Sequence, residues 1–310
     1  MNRYPVWLDC DAGVDDAIAL IALHTLEELD LQGISAVCGN AALSDTYRNV
    51  HRINGLLGAH YPVYRGADRP LFRELHVSEA FHGRDGLGDV DLPVPPHEDS
   101  ETAAWDALYA CAKAHPGELQ LVATGPLTNL AIAFAKYREL PGLLGRILLM
   151  GGSASAGNIT PAAEFNIYDD PEAASVVFQA GVPLVMCGLD VTLKALLRPA
   201  DWDELAAEGT RAGVFVRECL KPAWKFLQGM GFDGVPMHDA CPVLYLAHPE
   251  LFRGETAGVR VETRGELTLG KTVTDLYSDK QFEDKNALVV LDVDRDRFIA
   301  ILKDCVRRAG

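Results

Sequence analysis

The sequence predicts an α/β fold with a single domain, in which an open, mostly parallel sheet is flanked by helices. Strand-like apolar segments alternate with helical ones along most of the 310 residues, which is typical of a parallel sheet covered on both faces. Hydrophobic residues make up 48% of the chain, enough to bury one large core. Because no repeat or clear linker divides the sequence, we expect residues 1–310 to fold as one domain.

The chain begins with a strand, a tight turn and a helix. Val6-Trp7-Leu8 is an apolar run, Gly13 favours a turn, and a helical pattern of apolar residues starts at Ala17. Further strands are predicted at residues 31–38, 119–123, 146–150, 183–187 and 287–293. Further helices are predicted at residues 102–114, 127–137, 171–179 and 295–306. Residues 258–263 and 267–276 look extended, and we expect a hairpin around Gly265.

Segment 66–100 departs from this alternation, because it is rich in Gly, Pro, His and Asp and has weak periodicity. Loops of this length inside a compact domain are usually functional. Polar, glycine-containing turns also follow the predicted strands, and the carboxyl ends of parallel strands share one edge of a sheet. We therefore expect one active site at that edge, built from Asp11, Gly39-Asn40, residues 124–129, residues 150–158 and Asp190.

The turn after the first strand contains four aspartates, Asp9, Asp11, Asp15 and Asp16. Carboxylates this close repel one another, and a hard divalent cation such as calcium or magnesium would relieve the repulsion. Helix capping explains one or two of these residues but not all four. An EF-hand loop is excluded, because Leu20 stands at the twelfth position, where that loop needs a bidentate glutamate. Phosphate transfer by an Asp-x-Asp turn stays open.

Two further pairs could carry chemistry. Glu164 and Asn166 would share one face of an extended segment and suit sugar hydroxyls, although an exposed loop pair is the alternative. His238 and Asp239 precede an apolar helix and could supply a proton donor and a metal ligand. Asp239 could equally cap that helix beside an incidental histidine. His82, in segment 66–100, is a further candidate substrate contact.

Charge and motifs exclude several functions. The formal charge of −16 disfavours nucleic acid and anionic membranes as partners. No apolar run approaches the roughly 20 residues of a membrane span. Seven cysteines occur singly, without CxxC pairs, which favours a cytoplasmic, reducing location. Because G-x-S-x-G, a G-x-G-x-x-G after the first strand and a P-loop are absent from the sequence, serine hydrolases and dinucleotide or NTP binding are disfavoured.

The sequence resembles the inosine-uridine-preferring nucleoside hydrolases along essentially its whole length. The N-terminal signature is Asp9-Cys10-Asp11-x-Gly13-x-Asp15-Asp16-Ala17. The other matching motifs are, in order, Gly39-Asn40, Thr124-Gly125-Pro126-Leu127-Thr128-Asn129-Leu130-Ala131, Leu149-Met150-Gly151-Gly152, Gly157-Asn158, Ala163-Glu164-Phe165-Asn166, Asp170-Pro171-Glu172-Ala173-Ala174 and His238-Asp239-Ala240. The resemblance implies that residues 1–310 form a single nucleoside hydrolase-like catalytic domain, assembled as a homodimer or homotetramer.

The resemblance also implies a site in which calcium and a ribonucleoside bind together. The implied protein ligands of calcium are Asp11, Asp16, the main-chain carbonyl of Thr124 and Asp239. Water and two ribose hydroxyls would complete the coordination shell. The implied ribose contacts are Asp15, Asn40, Met150, Asn158, Glu164, Asn166 and Asp239.

The residues suit hydrolysis of an N-ribosidic bond. Cleavage builds positive charge on the ribose as an oxocarbenium ion, and a carboxylate-rich pocket stabilises that charge. A bound cation would lower the pKa of a water molecule, and Asp11 could accept its proton. His238 is the candidate acid for the leaving base, since imidazole titrates near neutral pH.

Two features of the sequence depart from the family pattern. Ala12 replaces a proline, and Phe226 and Met230 stand where relatives carry Tyr, Gln or Arg side chains that contact the base. Apolar side chains pack against a base but do not hydrogen-bond to it, so the base preference stays open.

Two other functions stay open. A metal-dependent phosphatase would need a Lys or Arg side chain to clamp the phosphate, which the matched motifs lack. A non-catalytic ribose-binding protein would tolerate loss of Asp11.

Overall fold

The computed structural model describes residues 3–277 and 282–310, and alternating strands and helices make up most of them. In chain order the strands are β1 (Tyr4–Cys10), β2 (Leu29–Ala36), β3 (Val63–Arg65), β4 (Leu119–Ala123), β5 (Leu144–Met150), β6 (Leu184–Cys187), β7 (Leu196–Leu197), β8 (Val235–Pro236), β9 (Phe252–Val261), β10 (Thr272–Asp275) and β11 (Ala287–Val293).

The helices surround these strands, and several are short. In chain order they are α1 (Val14–Thr25), α2 (Leu43–Leu57), α3 (Glu79–His82), α4 (Ala104–Ala114), α5 (Thr128–Lys136), α6 (Phe165–Asp169), α7 (Pro171–Phe178), α8 (Leu189–Thr192), α9 (Pro199–Ala207), α10 (Arg211–Cys219), α11 (Lys221–Gln228), α12 (Ala240–Ala247) and α13 (Arg295–Arg308). Within the described ranges, none of them is both long and apolar enough to cross a membrane.

The sheet topology confirms the predicted fold class. Among the described residues the main sheet has nine strands, in the order β10-β9-β11-β6-β5-β4-β1-β2-β3. The pairs from β11 to β3 are parallel, and β9 runs antiparallel to both β11 and β10. Strands β7 and β8 form a separate antiparallel pair. Since β1 and β4 are parallel neighbours, the segments that follow them lie side by side at the carboxyl edge of the sheet.

Two hydrophobic cores hold the helices against the sheet. On β1, Val6 and Leu8 pack with α1, α12 and α13 on one face, whereas Trp7 packs with α5 and α7 on the other. Successive strand residues point to opposite faces, and burial of both faces explains why the strands are almost continuously apolar. The two cores therefore fix the positions of the strand ends that carry the polar turns.

Most predicted elements are present with small shifts at their ends. The strands at residues 119–123 and 287–293 have the predicted bounds, and β9 and β10 form the predicted hairpin around Gly265. Residues 163–166 do not form an extended segment throughout, because α6 begins at Phe165. Glu164 is instead the N-cap of α6, because its carboxylate accepts hydrogen bonds from the main-chain N–H groups of Asn166 and Ile167. Helices α2, α9, α10 and α11 were not predicted.

Candidate active site

The aspartate turn joins the end of β1 to the start of α1. Gly13 is the N-cap residue of α1, and its main-chain N–H donates to Oδ2 of Asp16 at 2.7 Å. A side chain has no room at Gly13, because a Cβ atom there would lie 2.4 Å from Nδ1 of His82 and 2.7 Å from Nδ2 of Asn40. The glycine therefore allows a histidine from segment 66–100 to approach the turn closely.

Three carboxylates converge beside this turn. Asp15, Asp16 and Asp239 each offer an oxygen, and these atoms lie within 4.8 Å of one another. All three side chains are at most 3% exposed. Asp239 joins the other two because it immediately precedes α12, which packs against α1. The predicted cluster thus forms from residues far apart in the chain.

Asp11 lies beside this group with part of its hydrogen-bonding capacity unused. Its Oδ2 accepts a hydrogen bond from the main-chain N–H of Asn40 at 2.7 Å. Among the described residues, Oδ1 of Asp11 and Oδ1 of Asp15 have no hydrogen-bond partner although both are buried. Unpaired buried carboxylate oxygens are costly, and a cation would satisfy them.

Burial and mutual repulsion keep protons on these acids. Burial, followed by the charge of Asp16, raises the pKa of Asp15 to about 7 and moves the pKa of Asp11 well above its ordinary range. Burial and the charges of Asp15, Asp16 and Asp11 raise the pKa of Asp239 in the same way. Four acids cannot all be ionised here without a compensating charge. The all-oxygen donor set and the unpaired oxygens therefore fit a hard divalent cation.

Capping explains only one of the four aspartates in the turn. Asp16 closes a capping box with Gly13, and its Oδ1 accepts a hydrogen bond from the hydroxyl of Thr124 at 2.7 Å. Asp9 lies on β1, where its carboxylate accepts hydrogen bonds from Ser35 and Asn129. The group of three carboxylates with oxygens within 4.8 Å of one another contains Asp15, Asp16 and Asp239 but not Asp11.

Glu164 and Asn166 fix the ends of the neighbouring strands β4 and β5. Glu164 is 2% exposed and accepts hydrogen bonds from the main-chain N–H groups of Gly152, at 2.9 Å, and of Asn166, at 3.0 Å. The side-chain amide of Asn166 donates to the main-chain carbonyls of Thr124, at 2.9 Å, and Met150, at 3.1 Å. Burial raises the pKa of Glu164 to about 7. This network places an acid and an amide next to the Thr124 carbonyl.

Two asparagines differ in how closely they join the site. Asn40 is 7% exposed and lies against Gly13 and Asp11. Asn158 is exposed, and its Oδ1 accepts a hydrogen bond from the main-chain N–H of Phe165 at 3.0 Å, which closes the loop before α6. Asn40 is thus built into the aspartate turn, whereas Asn158 lies on the outer loop.

Two histidines face the aspartate turn as neutral rings. Nδ1 of His82 accepts a hydrogen bond from the main-chain N–H of Val14 at 3.3 Å, and burial together with the nearby His238 lowers the pKa of His82 to about 3. His238 is hydrogen-bonded through Nδ1 to the hydroxyl of Thr192 at 2.8 Å, and burial lowers its pKa to about 4. Both rings therefore carry a single proton at neutral pH.

The candidate base-binding side chains lie at the entrance to the site. Phe226, on α11, is 44% exposed, and Met230, just after that helix, is 63% exposed. The ring of Phe226 meets the ring of Phe81 edge to face, with 6.4 Å between centroids. Phe81 precedes His82 on α3, so α3 and α11 together form an apolar rim.

Sequence reasoning missed two buried residues that hold the site together. Thr192, on α8, orients His238, and Asn49, on α2, donates a hydrogen bond to the main-chain carbonyl of Ala12 at 3.2 Å. Both are completely buried. Their partners come from other elements of the fold, so the sequence pattern gave no signal for either residue.

Similar proteins agree with this fold. The family model for inosine-uridine preferring nucleoside hydrolases matches residues 6–300. The pyrimidine-specific ribonucleoside hydrolases RihA of Escherichia coli (strain K12) and Citrobacter koseri are each 41% identical over 303 residues, covering 97% of both chains. A purine-preferring ribonucleoside hydrolase from Gardnerella vaginalis superposes with a TM-score of 0.93 at 31% identity, with 98% of each chain covered. A plant nucleoside hydrolase gives a TM-score of 0.92 at 29% identity over the same shares.

The fold and the carboxylate site, taken with these similarities, define a nucleoside hydrolase. The chain belongs to the inosine-uridine preferring nucleoside hydrolase family. It is an enzyme that hydrolyses the N-ribosidic bond of ribonucleosides, and its aspartate cluster can hold a metal ion. The predicted family, fold and reaction are thereby confirmed.

Proposed function

We propose that this enzyme is a calcium-dependent hydrolase that prefers pyrimidine ribonucleosides and releases ribose and the free base. The observation that carries the proposal is the convergence of Asp15, Asp16 and Asp239 within 4.8 Å, beside the unpaired Oδ1 of Asp11. A pocket of this charge suits a cation and an electron-poor ribose in the transition state.

The aspartates and the Thr124 carbonyl would hold the cation. Asp11, Asp16 and Asp239 would supply carboxylate oxygens, and Thr124, whose hydroxyl donates to Asp16, would supply its main-chain carbonyl. Asp15, which is grouped with Asp16 and Asp239, is the proposed ribose contact beside the cation. When bound, calcium would compensate the carboxylate charge and acidify a coordinated water molecule.

The remaining residues bind the ribose and move protons. A bound cation would favour the ionised form of Asp11, which could then accept a proton from the attacking water through Oδ1, an atom with no other partner among the described residues. Glu164 and Asn166 bind ribose hydroxyls from the β4 and β5 ends, beside Met150. Asn40, after β2, and Asn158, on the outer loop, are the further proposed ribose contacts. The pocket carboxylates stabilise the oxocarbenium charge.

His238 is the proposed acid for the leaving base, assisted by Thr192. The lowered pKa means that the His238 ring is neutral in the free enzyme. To act as the acid it first takes up a second ring proton from solvent, which the negative charge that develops on the leaving base favours, and it then gives that proton to the base. The Thr192 hydroxyl bonds to Nδ1, which fixes the ring orientation. His82 contacts the substrate or orients the turn through Val14.

A pyrimidine preference is supported by the named specificity of the relatives, whereas the apolar rim would accept any base. The RihA proteins are pyrimidine-specific by name and 41% identical, whereas the purine-preferring structure is 31% identical. Phe226, Met230 and Phe81 offer stacking and packing surfaces to a base. The tests are kcat/KM values for uridine, cytidine, inosine and guanosine, measured by ribose release. We expect the pyrimidine nucleosides to lead, and a purine preference would contradict the proposal.

We further propose that residues 1–310 form one catalytic domain, which assembles as a homodimer or homotetramer and acts in the cytoplasm. Exposed apolar side chains such as Phe72, at 79% exposure, support an interface between subunits. The seven cysteines are free, which suits a reducing compartment. Sedimentation equilibrium measures the subunit number directly, and a monomer at all concentrations would contradict this assembly.

A further inference from the structure

A second group of metal-ligand side chains lies outside the aspartate cluster. His51, His97 and Asp99 each offer a ligand atom, and these atoms lie within 4.8 Å of one another. His51 is on α2, whereas His97 and Asp99 lie on the segment that precedes α4. The two imidazole rings are stacked, with 3.7 Å between centroids and 21° between planes. This group joins a helix to an irregular segment.

The nitrogen Nε2 of His51 is buried and has no hydrogen-bond partner among the described residues. The residue is 6% exposed, so water does not replace the missing partner freely. Burial, followed by the nearby His97, lowers the pKa of His51 to about 4, so its ring is neutral at pH 7. Buried polar atoms without a partner are rare in folded proteins and call for a ligand or an ion.

His97 faces a main-chain carbonyl through one ring nitrogen and Asp99 through the other. Its Nδ1 lies 3.0 Å from the main-chain carbonyl of Pro95, which can only accept, so Nδ1 carries a proton. Its Nε2 lies 3.4 Å from Oδ1 of Asp99. Both of these atoms can give a lone pair to a metal ion, which would then replace the proton that an ion pair between them holds. A ring nitrogen bonded to a main-chain carbonyl is also the usual support of a metal-binding histidine.

The carboxylate of Asp99 is oriented by two donors. The hydroxyl of Tyr47 donates to Oδ1 at 2.9 Å, and the guanidinium of Arg65 donates to Oδ2 at 3.2 Å. Arg65 also lies over the ring of Tyr47, at 3.7 Å from its centroid. Carboxylates that bind metals are commonly held by hydrogen bonds of this kind.

We propose that His51, His97 and Asp99 form a second metal site, which binds a transition cation of the zinc class. Two imidazoles and one carboxylate, with a coordination position left for water, suit zinc, whereas calcium and magnesium prefer oxygen ligands. Zinc bonds of about 2.0–2.2 Å are shorter than the present spacing, so binding would require the three ligand side chains to move closer together. The aspartate cluster, with oxygen donors alone, keeps its preference for a hard cation.

A cation at this site would have a structural role. Helix α2 carries His51, and it also carries Asn49, which holds the Ala12 carbonyl of the aspartate turn. Arg52 on the same helix pairs with Asp85 at 2.6 Å, in the part of the segment that follows His82. The second site would therefore fasten the far end of this segment to the helix that already holds its middle part, at Asp85.

Calorimetric titration of zinc into the full-length, metal-stripped protein tests the proposal. A large excess of calcium is present to compete for the aspartate cluster. We expect the wild type to bind one zinc ion. The His97→Ala variant should lose more zinc affinity than the roughly 10–100-fold that removal of an outer-shell partner costs. Tyr47→Phe, which removes only the hydroxyl that orients Asp99, should lose affinity within that range. His60→Ala, at an exposed histidine, is the matched control and should bind zinc as the wild type does.

Uridine hydrolysis by the His97→Ala variant should stay near the wild-type rate, which shows that the variant folds. The proposal is overturned if the wild type binds no zinc under these conditions, or if His97→Ala binds zinc as tightly as the wild type. It is also overturned if zinc binding is lost in Asp16→Ala but kept in His97→Ala, because zinc would then occupy the aspartate cluster.

Discussion

The main-chain N–H of Val14 donates a hydrogen bond to Nδ1 of His82 at 3.3 Å, although 68 positions separate the two residues. This bond attaches segment 66–100 to the first turn of α1. It also fixes the proton of the neutral ring on Nε2, because Nδ1 is the acceptor. The long segment is therefore part of the site, and the close fit around Gly13 depends on it.

Replacing Gly13 by alanine should destabilise the protein by about 1–3 kcal/mol, the usual cost of overpacking. The added Cβ would lie 2.4 Å from Nδ1 of His82, so the turn or the histidine must shift. Gly142→Ala is the matched control, since nothing lies within 4 Å of a Cβ there. Urea denaturation measures both variants, and equal stability of the two would show that the turn has spare room.

The chelated protein should become less stable as the pH rises from about 5 to 8. Asp9, Asp15 and Glu164 have pKa values of about 7 in the folded protein, whereas carboxyls in unfolded chains titrate near about 4. The folded state therefore holds more protons in this range, and its free energy of unfolding falls with increasing pH. Melting temperatures across this range test the sign.

Saturating calcium should reduce that pH dependence, because a bound cation favours the ionised form of Asp15 and its neighbours. Magnesium serves as the comparison ion, since it also prefers oxygen ligands. A chelated protein that is more stable at pH 8 than at pH 5 would contradict the assigned pKa directions.

His238→Ala should slow hydrolysis of uridine by roughly 10²–10⁴-fold, the usual contribution of general acid catalysis. p-Nitrophenyl riboside needs no protonation of its leaving group, so its hydrolysis should change little. The comparison separates proton donation from ribose binding. Equal losses on both substrates would mean that His238, held by Thr192, has a positioning or sugar-binding role instead.

2′-Deoxyuridine should be a very poor substrate, with kcat/KM lower than that of uridine by as much as about 10⁴-fold. The reason is that Glu164 and Asn166 are buried polar groups proposed to bind a ribose hydroxyl, and the deoxynucleoside lacks a hydroxyl to make those contacts. Steady-state kinetics with both nucleosides provide the measurement. Similar kcat/KM values would show that these side chains serve the fold rather than the sugar.

The sequence revealed the aspartate turn because its charges are contiguous and follow an apolar strand. It also predicted the parallel sheet, since strands buried on both faces are almost continuously apolar. It did not reveal that Asp15 would be grouped with Asp16 and Asp239, because that grouping depends on how α12 packs against α1. Spacing alone cannot show such packing.

Other parts of the site escaped prediction for related reasons. An extended segment would put Glu164 and Asn166 on one face, but the Glu164 carboxylate accepts hydrogen bonds from main-chain N–H groups and caps a helix that begins at Phe165. Thr192 and Asn49 gave no signal, since their partners come from other elements of the fold. The stacked His51 and His97 rings lie on α2 and on an irregular segment, so only the folded chain brings them together.

The central claim is that the buried aspartates hold a metal ion on which N-ribosidic hydrolysis depends. The most direct test combines two measurements on the wild type, Asp11→Ala and Asp16→Ala. One is the rate of ribose release from uridine, and the other is the amount of bound metal, determined by elemental analysis. Asp30→Ala, at an exposed aspartate, is the matched control. We expect chelation to abolish turnover, calcium to restore it in the wild type and control, and both site variants to lose metal and activity together. Full turnover by protein shown to contain no metal would contradict the account.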